Sequence, residues 1–515
     1  MRYTVTANDT LIGLSRSLLA DAASWPEVAR LNALRNPNLI TPGQVLQVPL
    51  RLLRSAQVPA RVLSVEGDVR LEGKPVKAGD ALSQGQTLQT AAASSAVLLL
   101  GDGSRIKVAP LTETGLDEHR RFDIRPNAVA GEASEGLFAS TMRLVRGSIE
   151  VLASKVQRAK PLEVTTPTAV IGVRGTEYRV HAQAARSGTE VLEGKVRADA
   201  NDAEGADVPS GFGAALVAGV TPTVVALPPA PDLSGVPARF ERPLVRFATP
   251  AQDAPVRVQV AADDKFERLV RDLRVAAGRE VRIAGLDDGT WQMRVRRVDG
   301  QGVEGYDAQR AFTLKARPEP PAAMGPRIAA KMPVGTVTMA WAENLEATRY
   351  HLQVAKDAAF ADKVLDTDTV QGAKTDIKLD QAGTYHWRLA SVRASGDQGP
   401  WGDAQVFELR PLPEPPAGGV APDGKTLSLN WSGRAQDKQQ VELAQDEGFT
   451  QILARQDLTQ AQWELPTPDV SGKVYFRYRS VEPDGFTTPW SSTLVIEIPR
   501  NWNFLWILAP LLLAL

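Results

Sequence analysis

The feature that most constrains the fold is a repeat: three segments of about ninety residues stand in register through the second half of the chain. Phe247, Trp341 and Trp431 open successive units. Phe266, Phe360 and Phe449 each follow an acidic or polar turn, and Gly289, Gly383 and Gly472 each precede a strand. Those strands read GTWQMRVRRV, GTYHWRLASV and GKVYFRYRSV. Short alternating runs separated by turn residues predict an antiparallel β-sandwich for each unit, because alternation buries one strand face and the turns reverse the chain. Pro-rich stretches at 221–237, 317–326 and 410–419 flank the units. Such backbone is extended and semi-rigid, so these stretches mark domain joints and place the sandwiches at 238–316, 325–410 and 419–499. The recurring aromatics offer faces to sugar rings, but their matched positions within strands favour core packing, and no site is placed on them.

These units resemble fibronectin type III domains over roughly 238–500, with the early Trp of that family at Trp341 and Trp431 and Phe247 in its place in the first copy. A chain of 515 residues is too long for one core, and a prior of ~100–200 residues per domain leaves room for further modules upstream. Charge excludes one class of partner there: 59 Lys plus Arg against 60 Asp plus Glu create no field to attract nucleic acid.

Upstream, YTV reads as a strand, Asp9 or Thr10 as a helix cap, and Leu11, Leu14 and Leu18 as one helix face. Ser24 and Glu27 have capping-box spacing ahead of a second helix carrying Trp25, Val28 and Leu31. Asn36, Pro37 and Pro42 end that helix, and QVLQVP supplies a second strand. Two strands alone are marginal, so both helices are expected on one face of the pair, which leaves the loops at the other edge. This βααβ order, with YTVTANDTL at one end and LNALRNPNLITPGQVLQVP at the other, resembles the LysM domain over residues 1–52. The resemblance implies a shallow groove for peptidoglycan or another N-acetylglucosamine-containing glycan. Asn8, Asp9, Thr10 and Leu11 would form one lip, and Asn36, Pro37, Asn38, Leu39 and Ile40 the other. Loop amides and carbonyls suit acetamido groups, while Leu39 and Ile40 offer apolar contact to a sugar face. The family usually has Gly where this chain has Asn8, a residue that tolerates left-handed backbone better than most.

The region 58–220 is again rich in short strands. SAVLLLGDGSRIKVAP reads as a hairpin around Gly101–Ser104, and LVRGSIEVLA and TPTAVIGVRGTEYRV as further strands, whereas 111–140 reads as a charged insertion or long loop. These segments resemble the FecR domain, an extracytoplasmic β-rich module whose name-giving members relay a signal inward to a sigma factor. In GVRGTEYRV, Gly172 and Gly175 are expected to permit tight backbone, Val173 and Tyr178 to fill a core, and Arg174 to be solvated or locally paired.

Catalysis finds no support in the motifs. With no Cys there is no thiolate nucleophile, disulfide or Cys-based zinc site, and the four His are never at metal-ligating helical spacing. No nucleophile elbow, phosphate loop or HExxH occurs, so no catalytic residue, metal or cofactor is expected. The apolar run 502–515 would reach ~21 Å as a helix against ~30 Å of hydrocarbon, yet its tryptophans suit an interface, and membrane contact is expected through this tail.

The expectation is therefore a multidomain, mainly β, non-catalytic protein of the periplasm or cell envelope. It comprises a LysM-like module, a FecR-like domain for sensing or partner docking, three sandwiches and a short hydrophobic tail. Met1 and Arg2 lead straight into a strand without a signal-peptide pattern, so this location implies an export signal upstream of Met1. The alternative is an extracytoplasmic signalling subunit that regulates a membrane-bound sensor kinase or cyclase.

Overall fold

A computed structural model describes residues 1–122, 137–156, 158–173 and 177–499. The chain forms two compact units, Met1–Lys315 and Ala316–Leu515. Architecture is mainly β, in several sheets, as expected.

In the N-terminal module β1 (Arg2–Thr4) pairs antiparallel with β2 (Val45–Gln47), Tyr3 opposite Leu46. Helices α1 (Leu11–Leu18) and α2 (Trp25–Leu31) bury Leu11, Leu14 and Val28 against Val5, Leu46 and Val48. Each such side chain contributes about 1.5–3 kcal/mol on burial, which the two strands alone could not supply. Thr10 is the cap of α1, its Oγ1 accepting from the Gly13 amide at 3.1 Å. The capping box at Ser24 is not formed. A 3-10 turn over Ala22–Ser24 precedes α2, Asp21 accepts from the Ala23 amide, and Glu27 pairs with Arg51 instead. Leu31 is exposed rather than buried because α2 ends there: Asn32 Nδ2 donates to the Val28 and Gln47 carbonyls and so turns the chain towards β2.

No spacer follows this module. Arg54 donates its amide to the Leu18 carbonyl, Ser55–Gln57 pairs with Arg120–Phe122, and Phe122, Leu137 and Ala139 of the central domain join the N-terminal core.

The central domain consists of two packed sheets that share one long strand, Leu137–Leu152. Its first part pairs with Glu113–Phe122, and its last residues pair with Arg105–Val108 and Glu177–Gln183. Between these parts lies Gly147 at φ +93°, where a Cβ would come within 2.5 Å of Thr112 Cα, so glycine is required for the strand to pass from sheet to sheet. The hairpin read around Gly101–Ser104 is present as Ser95–Leu99 paired with Arg105–Val108.

Three readings of this region are corrected. Residues 113–122 are a ten-residue strand, not part of a loop. Its charges lie on the outer side and pair with neighbours (Glu113 with Arg146, Asp117 with Arg143, Glu118 with Lys160), while Leu116, His119 and Phe122 face inward. Gly172 permits no special approach, since a Cβ there would meet Pro161 only at 3.7 Å. The first Pro-rich stretch begins inside a strand, Val220–Ala226, and continues with Leu227, Leu233 and Val236 buried. Val173 and Tyr178 do fill the core; Arg174, Gly175 and the tail 502–515 lie outside the described residues.

Each repeat unit contains two sheets, antiparallel in the third unit but with a parallel edge strand in the first (Arg239–Phe240) and the second (Ala330–Pro333), a departure from the purely antiparallel sandwich expected. Phe247, Trp341, Trp431, Phe266, Phe360 and Phe449 are all buried, so the aromatics are core residues, as the register implied.

Candidate functional site

The chain just before one lip and the turn just after the other are joined through the backbone. Val5 donates its amide to the Gln44 carbonyl and accepts from the Gly43 amide, both at 2.8 Å, so the turn after β1 is fastened to the turn before β2. Each turn is also closed internally. Asp9 accepts from the Thr6 amide at 2.7 Å, the Thr6 hydroxyl at 2.9 Å and the Tyr3 hydroxyl at 3.0 Å. Burial would raise its pKa, but these three donors to the ionised form prevail and hold the carboxyl below the usual range. Asn8 sits at φ +73°, the left-handed backbone that a Gly at this place would adopt most readily. On the other side Asn36 Oδ1 accepts from the Asn38 amide at 3.0 Å, and Asn36 O from the Leu39 amide at 3.1 Å.

The nine residues divide by exposure. Asn8, Thr10, Asn36, Asn38 and Leu39 are exposed, with Leu39 at 68% the most exposed apolar side chain of the module, while Asp9, Pro37 and Ile40 are half-buried. Leu11 is the departure: at 3% exposure its side chain belongs to the core, because it is the first residue of α1's buried face. Asp9 spends Oδ2 and Asn36 spends Oδ1 on the turns, while Asn8, Asn38 and Leu39 stand exposed to meet a ligand.

A polar cluster that sequence reading missed lies inside the central domain. Arg158 Nε donates to Asp102 Oδ2 at 2.9 Å, and its Nη2 to Ser104 and Ser154 at 2.8 and 3.0 Å. Beside it the Gly101 amide donates to His119 Nε2 at 2.8 Å, which leaves the ring proton on Nδ1 to bond Ser140. Burial pushes the His119 pKa down against the opposing charge of Asp102. These groups are mutually satisfied and hold Ser154 and Arg158 on the hairpin. The GDGS turn carried the only sequence signal for them. Among the described residues no group of His, Asp and Glu is arranged to hold a metal ion.

Residues 3–49 match the LysM domain family. Residues 86–197 match the FecR protein family. The chain carries a LysM domain and a FecR domain. LysM implies glycan binding and FecR implies signalling or sensing, and both families are extracytoplasmic or envelope-associated. Together with the fibronectin type III-like sandwiches, these are binding or signalling modules. Among solved structures, a candidate anti-sigma factor from Parabacteroides distasonis is similar over 27% of this chain at 15% identity and a TM-score of 0.20. The chain spans 57% of that structure's length. The chicken CNTN1 FN1–FN3 domains are similar over 53% of this chain and 99% of theirs, at 12% identity and a TM-score of 0.21. Fibronectin(III)-like modules of Clostridium thermocellum CbhA are similar over 35% and 93%, at 10% identity and a TM-score of 0.21. No curated protein matches the sequence. Among the described residues no helix is long and apolar enough to cross a membrane.

Proposed function

We propose that this is a non-catalytic cell-envelope protein that holds peptidoglycan, or another N-acetylglucosamine-containing glycan, in the groove of its LysM domain, while its FecR domain docks a membrane-bound signalling protein. The observation that carries the reading is the fastening of the chain beside the two lips through Val5, which keeps Asn8, Asn38 and Leu39 exposed on turns that are already closed. A preformed polar and apolar lip loses little conformational entropy on binding. The location that serves this role is the periplasm or cell envelope, with membrane contact through residues 502–515.

Co-sedimentation with purified insoluble peptidoglycan tests the glycan role. The full chain is expected to pellet, and Leu39→Asp, at an exposed position that leaves the core intact, to stay largely in the supernatant. Equal pelleting of both proteins would remove the groove from the account.

A second reading, the signalling subunit for a sensor kinase or cyclase, draws support from the core that the LysM domain shares with Phe122, Leu137 and Ala139. A glycan-bound LysM domain is then packed directly on the FecR hairpin. Retention of a membrane kinase or cyclase through purification in mild detergent favours this role, and its consistent loss opposes it.

A further inference from the structure

The outer sheet face of the first sandwich lies against the outer sheet face of the FecR domain. The apolar part of this joint is small, comprising Ala109 of the FecR domain with Ala261, Phe266 and Leu269 of the sandwich. The rest is charged. Arg294 Nη2 donates to Glu150 at 2.9 Å, Arg179 Nη2 to Asp307 at 2.7 Å, and the Glu304 amide to Glu190 at 3.0 Å. Lys107 reaches across from the FecR side to the Lys265 carbonyl at 2.7 Å.

Comparison of the three repeats shows which of these groups serve the joint and which serve the sandwich. Arg294 donates to Gln259 at 2.7 Å and Gln259 to Asp272 at 2.9 Å. The same chain recurs in the second sandwich as Arg388, Gln353 and Asp366, at 2.9 and 3.1 Å. The first two sandwiches share that triad, while the third has Glu442 between Arg477 and Arg455 at the same strand positions. Around it the first sandwich differs: strand pairing places Arg257 and Arg296 where the second has His351 and Ala390, and Glu304 and Asp307 stand where it has Gln398 and Trp401. In the second sandwich Arg388 is held between Phe360 at 4.0 Å and Trp401 at 4.5 Å, and in the third Arg477 lies between Phe449 at 3.9 Å and Trp490 at 4.4 Å. Arg294 has Phe266 on one side at 4.6 Å, and where the second sandwich offers Trp401 it meets two carboxylates instead, Asp307 at 3.6 Å and Glu150 of the FecR domain at 2.9 Å.

Desolvated ion pairs add little net stability but penalise every wrong arrangement, and interfaces between domains of one chain separate readily unless they are large and apolar. We propose that this joint is a releasable latch, in which the first sandwich alone among the repeats is specialised to cover the charged outer face of the FecR domain. Opening it would bare Glu150, Arg179, His181 and Glu190. That exposed face bears on the docking role proposed above, but the geometry of the latch stands apart from it.

His181 is the joint's one group whose ordinary pKa lies near neutrality. Ser148 and Glu190 face it from its own sheet, Glu190 at 3.4 Å, and Arg257, Arg274 and Glu304 from the sandwich. Burial opposes its charge, but Glu190 and then Glu304 outweigh burial and raise the pKa.

The chain has no cysteine, so a pair of nitroxide labels can be placed cleanly at Arg186→Cys and Gln301→Cys, exposed positions on opposite sides of the joint. In the full chain, pulsed electron spin resonance is expected to show one short distance, set by the ion pairs Arg294–Glu150 and Arg179–Asp307. Exchanging four residues for their second-sandwich counterparts (R257H, R296A, E304Q and D307W) should shift most molecules to a long, broad distribution. The second sandwich shows that these residues suit the sheet. Glu150→Gln, which keeps the side chain's size, should shift a smaller fraction and carries the test if the fourfold variant misfolds. An unchanged short distance in both variants would overturn the latch. Peptidoglycan pelleting is unaffected by either result, so the two proposals fail separately.

Discussion

Asp102 and Arg158 are almost wholly buried, with side-chain exposures of 0% and 4%. Removing one member of such a pair leaves an uncompensated charge, so Arg158→Met should destabilise the chain by about 3–5 kcal/mol, read from the urea midpoint. The double change with Asp102→Asn should cost less, because neither charge is then stranded. Two buried histidines titrate with opposite consequences. His119 has its pKa lowered by burial, so the unfolded chain binds the proton more tightly, and its contribution to stability is lost as pH falls below the ordinary histidine value of about 6.5. His181 has its pKa raised, so its contribution is complete below about 6.5 and disappears as pH rises through the raised value. A pH series of urea midpoints should therefore lose its alkaline slope in His181→Gln while keeping the acid one. The single neutral-side loss in that variant is the signature to look for.

At the scale of elements, one turn is used three times. Phe266, Phe360 and Phe449 sit at φ of +53°, +59° and +54°, and three residues before each an Asp accepts the following backbone amides. Asp357 accepts from Ala359, Ala361 and Asp362, and its pKa is held down by those amides. A bulky residue in left-handed backbone is strained, and the Asp is what compensates it. Asp357→Ala is expected to lower the melting midpoint of the second sandwich, and Asp357→Asn, which keeps one acceptor, to lower it less. A midpoint that ignores both substitutions would show that the buried Phe alone holds the turn. The Asp-x-x-Phe pattern was present in all three copies of the sequence, yet nothing in residue type announces a left-handed Phe. Charge patterning misled in the same way at 113–122, where acidic and basic residues on the outer side of a strand gave a loop-like composition.

For the molecule as a whole, the modular order was legible from one end to the other: βααβ, β-rich domain, three sandwiches. Spacing between the modules was not. Glu150 and Arg294 are 144 residues apart, and Phe122, Leu137 and Ala139 share a core with buried residues of 5–53. A linker was expected where the chain is strand and buried turn, because Pro content reports backbone stiffness and says nothing about what the stiff segment packs against.

Residue patterns alone gave the order of the modules, most of their strands and the sandwich cores, since periodicity, capping and turn preference act within a few residues, but not the strands at 113–122 and 220–226. The reading of the lips missed that Leu11 turns inward as the first helical residue. Only the tertiary structure decided which repeat carries a partner on its outer face. An arginine on a strand reads alike whether it is stacked under tryptophan or paired with a distant carboxylate, and desolvation, which separates the two, depends on neighbours that only the folded chain brings together.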